Sequence, residues 1–564
     1  MWLESYIHLF LVWITVFIDV HAGIPSCKSD IYCRGDLLKT VQMARIFPDS
    51  KTFVDMKMQY RPKEVLKNFK DLMHETKHNA SRQQIKQFVK DNFQPGNELE
   101  NWKPSDFNPN PPFLYTVTVP QYREFARDLV QLWPKFSRKL KPDVFIEPDR
   151  YSIIPVTNGF VVPGGRFREF YYWDSYWIMK GLLASGMHDT VRGMIENFLQ
   201  MVDKYGFVPN GGRVYYLNRS QPPLLSLMVL EYLEATNDLP WLRRNIHLLQ
   251  RELEYWLKTQ TTTFRYQGFI HTLAHYAVDS PSPRPESYRE DVNTCSPRKD
   301  KKDIKNCYKD LKSGAETGWD FSSRWIFTKN GSYGGNLSDI ETRRVLPVDL
   351  NAILAQAFNI FSSFARSVGY IEESNYWQRK SEIWTRSIQE VFYNKTDGIW
   401  YDMDLKLKKH RTGFYPSNLA PLWCNLAPSR MYGDLAVRYL ERVGILNNFG
   451  ISKFPGGTPT SLLSTGEQWD LPNAWPPLQS IVILGLKRSG STAAMTVAKQ
   501  LAESWIDNNL LIYKRTGFMF EKYNAELVGV VGGGGEYSVQ TGFGWTNGLI
   551  FELLEEFFSR DSYL

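Results

Sequence analysis

Two stretches far apart in the chain concentrate the residue types that bind polyhydroxylated ligands. One runs Pro163-Gly-Gly-Arg-Phe-Arg-Glu-Phe-Tyr-Tyr-Trp-Asp-Ser-Tyr-Trp177, the other Gln468-Trp-Asp-Leu-Pro-Asn-Ala-Trp-Pro-Pro477. Flat rings offer apolar area with a defined plane. Carboxylates and guanidinium groups beside them make the shorter, stronger hydrogen bonds that fix orientation. A ligand with apolar C–H faces and many hydroxyls suits both, and that ligand is a sugar.

Cleaving a glycosidic bond takes two carboxyl groups, one protonated and one charged. A separation of roughly 6.5–9.5 Å leaves room for water and inverts the anomeric centre; about 5–5.5 Å permits direct attack and retention. The candidates are Glu169, Asp174, Glu286, Glu316, Asp320, Glu467, Asp470, Glu521 and Glu536. Asp320 lies between rings in Gly318-Trp-Asp-Phe-Ser-Ser-Arg-Trp325, where desolvation would raise its pKa as a general acid requires. Arg324, if on the same face, would pull the other way. Glu521 lies in Phe520-Glu-Lys-Tyr523, where the adjacent cation favours the charged form that a base needs.

Helices must position these groups. From Asp349, apolar residues fall at Leu350, Leu354, Phe358, Phe361 and Ala365, a stripe at helical spacing that Gly369 ends. The next helix carries Trp377, Trp384, Ile388 and Val391 on one face. The same pattern predicts helices over 175–185, 190–205, 223–235, 239–259, 431–446, 478–486, 492–508 and 548–559. Alternating strands are scarce and short. Consecutive helices on short turns pack antiparallel, and a series of such pairs can close into a ring with the chemically dense loops at one end. The expected fold is therefore all-α, an (α/α)6 toroid over residues 111–564, with an irregular N-terminal arm over 23–110 packed on it.

Bulk properties narrow the class. With 43% hydrophobic and 23% charged residues the chain is globular rather than disordered. Its 18 Trp among 15% aromatics should line a core or a cleft. A net charge of +7 without a reading motif argues against nucleic acid. Residues 1–22, mostly apolar from Ile7 to Val20 but broken by Asp19, and ending Val20-His-Ala22, read as a secretory signal peptide that lacks a positive n-region. No later run is long enough to span a bilayer, and the C-terminus is no lipid-anchor tail. The expectation is a soluble, secreted, extracellular protein without a membrane anchor. Five cysteines agree with export: Cys27 and Cys33 are close, as are Cys295 and Cys307, each able to close a small loop, with Cys424 left over as a buried thiol. Sequons at Asn79, Asn218, Asn330, Asn336 and Asn394 could carry glycans, Asn218 being the poorest because it falls in a site stretch.

Both opening blocks resemble the two signature motifs of the trehalases, glycoside hydrolase family 37, in the soluble secreted form found in insects. The resemblance runs from about residue 30 to 555. It implies the (α/α)6 toroid and the inverting hydrolysis of α,α-trehalose to two glucoses, with no metal or organic cofactor. It casts Asp320 as catalytic acid and Glu521 as catalytic base. It implies sugar-binding roles for Arg166, Trp173, Asp174, Asn210, Arg219, Ser220, Gln221, Arg284, Pro285, Glu286 and Glu536, and a backbone carbonyl from Gly318. Small departures are Asn524 after Glu-Lys-Tyr, where Asp is common, and Val214 after Gly-Gly-Arg213.

Other features have blander readings. Gly532-Gly-Gly-Gly535 lacks the Gly-Lys-Ser/Thr of a phosphate cradle, so it reads as backbone that approaches sugar or folds over the pocket. The basic run Arg298-Lys-Asp-Lys-Lys-Asp-Ile-Lys305 reads as solvated surface, with a lid as the alternative. A sugar-binding protein without catalysis, a phosphorylase or glycosyltransferase on a similar toroid, and a purely structural helical repeat are the competing functions. The expected partner is the small-molecule substrate trehalose, with the chain a monomer or weak oligomer.

Overall fold

A computed structural model describes residues 27–560 apart from Lys329 and Pro428. The expected signal peptide at 1–22 lies outside the described residues. Twelve of the described helices build the body around the site. In chain order they are α1 Pro120–Val130, α2 Asp174–Ala184, α3 His188–Tyr205, α4 Leu225–Thr236, α5 Leu239–Thr259, α6 Val348–Ser367, α7 Ile371–Val391, α8 Ala420–Trp423, α9 Arg430–Arg442, α10 Pro476–Arg488, α11 Thr492–Thr516 and α12 Gly544–Phe558.

Local chemistry sets the ends of these helices. The Asp238 carboxylate accepts from the Trp241 amide at 3.1 Å, capping α5, whose first turn carries Pro240. Ser491 caps α11 through the Ala494 amide. The chains of α3 and α11 leave through Gly206 (φ 86°) and Gly517 (φ 74°), a left-handed exit that glycine takes without strain.

Burial then sorts the helices into two layers. Every residue of α10 from Pro476 to Leu486 is buried, and α6 is apolar on nearly all sides. Helices hydrophobic all round belong inside. The inner layer runs α2, α4, α6, α8, α10, α12, each packed on the next, and α12 returns to α2. Outside it, α3 and α5 back α2, α4 and α6; α7 backs α6; α9 and α11 back the α10 side; and α1 backs α12. The ring is closed, and the fold is the (α/α)6 toroid. The joint between its first and last inner helices is tight. A methyl group on Gly548 would stand 1.8 Å from the Trp177 carbonyl oxygen, and one on Gly181 would stand 2.9 Å from Gly548 Cα.

Strands are few and short. The pair Asn473–Ala474 and Tyr523–Asn524 matters most, because its antiparallel register ties the second aromatic block to the segment of Glu521. Residues ahead of the body form short helices at Asp36–Met43, Ser50–Val54, Pro62–Glu75 and Arg82–Asn92 around an apolar cluster of their own, which continues into Tyr171, Tyr215 and Tyr216. Buried ion pairs fasten this arm to the body, Lys51 to Glu169 at 2.7 Å and Arg213 to Glu98 at 2.6 Å.

Some expectations shift. The helix expected to end at 508 runs on to Thr516, and the one expected over 431–446 ends at Arg442. Lys301 begins a helix that reaches Glu316, capped by Asp300 through the Lys302 and Asp303 amides, so most of the basic run is a helix start rather than a loop. Cys27 pairs with Cys33 and Cys295 with Cys307, while Cys424 is a buried free thiol whose pKa burial pushes up. No described helix is long and apolar enough to cross a membrane.

Candidate active site

Loops at one end of the ring enclose a cavity with about 710 Å³ of empty space, its open mouth included. Rings form its walls: Trp173 from the start of α2, Trp469 and Trp475 from the second block, and Trp545 from the first turn of α12. Trp469 lies flat on Trp475 with centroids 3.8 Å apart and planes 5° apart, and Trp319 stacks behind Trp469 at 5.7 Å. Gly318 leaves room for this wall, since a side chain there would meet Trp173 at 2.6 Å, and its φ of +78° favours glycine in any case.

Five carboxylates line the same cavity: Asp174, Glu286, Asp320, Glu521 and Glu536. Their surroundings differ. Burial pushes Asp320 up to about 7, against the pull of Arg284, whose Nη1 lies 3.8 Å from Oδ2, and with a push from Glu536. About a third of the Asp320 side chain (34%) remains open to the cavity. Burial also raises Glu521, while Lys522, the Tyr537 hydroxyl, the Gln540 backbone and Arg166 all pull it down. Burial lifts Asp174 well above the carboxylate range, and both Glu521 and Asp320 add to the lift. For Glu286, burial is outweighed by Arg219 and Arg284, which hold it below its ordinary value.

Three arginines organise these acids. Arg219 donates to Asn210 Oδ1 and Glu286 Oε1, both at 2.7 Å. Arg284 forks onto Asp291 and reaches Glu536 Oε1 at 3.0 Å. Arg166 pairs with Asp49 of the arm at 2.6 Å and lies 4.7 Å over the Tyr537 ring. Several polar atoms on cavity-lining side chains are buried with no partner in the protein: Arg166 Nε, Arg219 Nη1, Glu286 Oε2 and Glu521 Oε2. A buried polar atom without a partner is costly, so a ligand rich in hydroxyls would stabilise all four.

The family profile described as Trehalase matches residues 45–558 of this chain. The chain belongs to the trehalase family. It is 51% identical over 538 residues to the trehalase of Tenebrio molitor, covering 95% of this chain and 96% of that one. It is 45% identical over 539 residues to the trehalase of Homo sapiens, covering 95% and 91%. Among solved structures, the neutral trehalase of Saccharomyces cerevisiae superposes with a TM-score of 0.55 at 23% identity over 70% of this chain and 73% of that one, a likeness of fold.

Against this family background, most residues singled out in the sequence meet at one cavity. Arg166, Trp173, Asp174, Asn210, Arg219, Gln221, Arg284, Glu286, Gly318, Asp320, Glu521 and Glu536 all line it. Ser220 and Pro285 do not. Ser220 is buried behind the wall, its amide donating to Glu316 and its hydroxyl to the Val208 carbonyl. Pro285 turns its carbonyl to Gln42 of the arm. Of the other candidates, Glu467 does not line the cavity, and Glu169, Glu316 and Asp470 have structural partners. Asp470 accepts from Ser323, Ser461 and Thr465, stitching the second block to the Asp320 loop. Glu169 accepts from Lys51 and Arg213 at the arm.

Of two expectations about charge, one is not met and the other is. Arg324 does not act on Asp320, because Asp349 and Asp402 hold its guanidinium from both sides. The cation beside Asp320 is Arg284. Lys522 does lower Glu521, but its ammonium donates to Gln468 Oε1 at 2.8 Å and to the Gly534 carbonyl at 3.2 Å. None of the basic residues at 298–305 lines the cavity. The glycine run packs on the second block, where a methyl on Gly535 would meet Gln468 at 2.7 Å.

Sequence reasoning missed Lys51, Tyr171, Tyr216, Ser287, Tyr537 and Phe543, which also line the cavity. Tyr537 follows Glu536 directly, and Phe543 and Trp545 sit in Gly542-Phe-Gly-Trp545, a ring-rich stretch that could have flagged both. Lys51 carries no such signal, since only the folded arm brings it there.

Proposed function

We propose that this chain hydrolyses α,α-trehalose to two glucose molecules with inversion, Asp320 acting as general acid and Glu521 as general base. The observation that carries the reading is one aromatic-walled cavity lined by both carboxyls, in which burial pushes Asp320 up to about 7. In the reaction Asp320 gives its proton to the bridging oxygen as the C–O bond breaks. Glu521 takes a proton from water, whose oxygen bonds to the anomeric carbon from the opposite face. One glucose leaves as the β anomer and the other as the α anomer. Arg166, Arg219, Arg284, Asn210, Gln221, Glu286 and Glu536 hold hydroxyls, and the Gly318 carbonyl accepts from one. The indole faces pack on the C–H faces of the sugar. Asp174, at the start of α2, completes the sugar contacts.

The deciding experiment measures glucose release from trehalose, maltose and sucrose, with anomers followed by NMR before mutarotation. Trehalose should be strongly preferred and should yield α- and β-glucose in equal amounts at first. Two α-glucoses, or equal rates on maltose, would refute the reading. Asp320→Asn and Glu521→Gln should each cut kcat by about 10³-fold or more, since acid and base each contribute about 10²–10⁴.

Residues 111–564 form the catalytic body in this reading, and 23–110 an arm that helps build the site. We also propose export as a monomer or weak oligomer, supported by the two disulfides. Glycans would sit at Asn79, Asn330 and Asn336, which are exposed, rather than at the partly buried Asn218. Peptide mass mapping of the secreted protein tests this, and unmodified asparagine at all three exposed sequons would overturn it.

A further inference from the structure

The proposed base receives its side-chain support from a residue outside the acid–base pair. The Tyr537 hydroxyl donates to Glu521 Oε1 at 2.8 Å. Among the described residues no other side chain hydrogen-bonds that carboxylate, and Oε2 is buried with no partner in the protein. The Glu521 backbone is fixed as well: its amide donates to the Gln540 carbonyl at 3.0 Å, and its carbonyl accepts from Trp545 Nε1 at 3.1 Å. One oxygen is therefore held and the other is free on an anchored segment, the arrangement a base needs to take a proton from a positioned water.

Tyr537 is itself held in place. Its ring meets Phe167 edge-on at 5.4 Å, and the Arg166 guanidinium covers it at 4.7 Å. Arg166 is pinned at both ends. Its amide donates to Gln540 Oε1 at 2.8 Å, and its Nη2 pairs with Asp49 at 2.6 Å. Asp49 belongs to the arm, where its carboxylate also caps Ser50–Val54 through the Lys51 amide at 2.8 Å. The chain of contacts runs from the arm to the base without a gap.

We infer that Tyr537 is the positioning residue for Glu521, and that the N-terminal arm secures this arrangement through Asp49 and Arg166. The inference rests on the reading of Glu521 as base. Its physical content is simple. A hydroxyl that donates to a carboxylate favours the charged form and fixes its rotation. The other titratable groups facing Glu521 are Lys522 on its own segment, Arg166 from the first block, and Asp174 at the start of α2. Lys522 and Arg166 favour the charged form, but neither donates a hydrogen bond to the carboxylate. Tyr537 alone gives it a direct side-chain donor.

Tyr537→Phe tests this in the full-length enzyme, because it keeps the ring beneath Arg166 and removes only the hydroxyl. The acid limb of kcat/KM against pH reports the base of the free enzyme. Without the donor the charged carboxylate is less favoured, its pKa rises, and the limb moves to higher pH. A shift of about one pH unit is expected, a roughly tenfold loss on the limb, with a smaller change on the plateau and KM within about twofold. An unmoved limb overturns the inference, as does a uniform loss at every pH accompanied by a lower Tm.

Asp49→Asn tests the arm, since asparagine still caps the helix but gives up the charge. It should lower kcat/KM several-fold in the parent enzyme and much less in the Tyr537→Phe background. Losses that simply multiply would overturn the arm's part. Glu521→Gln separates the layers. Activity in that variant removes the base assignment beneath the inference, whereas an inactive Glu521→Gln with an unmoved Tyr537→Phe limb overturns the inference alone.

Discussion

Asp320 and Glu521 are the same chemical group apart from one methylene, so their division of labour has to come from what surrounds them. Asp320 is partly buried and faces Arg284, yet that guanidinium is already committed to Asp291 at 2.7 Å and to Glu536 at 3.0 Å. A cation so well neutralised does little to stabilise a third carboxylate, which leaves Asp320 at about 7. The alkaline limb of kcat/KM should therefore fall as pH rises through about 7, where the acid loses its proton. Glu536→Gln makes this specific. Removing its negative charge takes away a push on Asp320 and releases Arg284 toward it, and both changes lower the Asp320 pKa. The alkaline limb should move to lower pH, whatever the change in KM. A limb that stays put in the pH profile of this variant would mean that another group provides the proton.

At the scale of elements, legibility followed the strength of local signals. Helix α5 was readable to the residue because Asp238, Pro240 and a long apolar stripe agree on its bounds. Helix α8 was not, being four residues long with Pro421 in its first turn; tertiary packing keeps it in the inner ring where no local pattern announces it. Helix α11 runs past the expected end at Asn508 to Thr516. That asparagine is buried, its Nδ2 donating to the Gly456 carbonyl at 2.9 Å. The site divides in the same way. Trp173, Asp174 and the Trp469–Trp475 block were legible because each lies in a contiguous ring-rich stretch, whereas Lys51 acquires its place only through the fold. Ring closure likewise rests on the α2–α12 joint, which no local pattern announces. That joint yields a prediction of its own. Gly548→Ala drives a methyl into the Trp177 carbonyl, backbone against backbone, so no rotamer can relieve it. Overpacking of this kind costs about 1–3 kcal/mol and sometimes more, and this contact belongs at the upper end. The variant should melt several degrees lower, with matching loss of activity on heating. A Tm within a degree of the parent would show that the ring does not depend on this approach.

Across the whole molecule, acid groups are also buried outside the cavity lining. Glu252 on α5 accepts from the Tyr172 hydroxyl, Glu316 accepts from the Ser220 amide, and Glu552 on α12 accepts from Ser480. Burial pushes each of them up to about 7. In the unfolded chain a glutamate titrates at about 4.3, so between these values the folded protein binds more protons than the unfolded one. By linkage the stability these three supply is fully present below about pH 4.3 and is lost as pH rises through about 7. Glu286, Asp404 and Glu556 work in the opposite sense: arginine or lysine partners hold them below their ordinary values, so their contribution is lost as pH falls. The maximum should therefore lie on the mildly acidic side, and Tm should decline between about pH 5 and pH 8. Glu252 is the best place to test this, because no cation is among the causes of its shift. Glu252→Gln keeps an oxygen for Tyr172 and removes the titration, so its Tm should depend less steeply on pH over that range while trehalose turnover at neutral pH is preserved. Parallel melting curves for parent and variant from pH 5 to pH 8 would assign the acid preference to other groups.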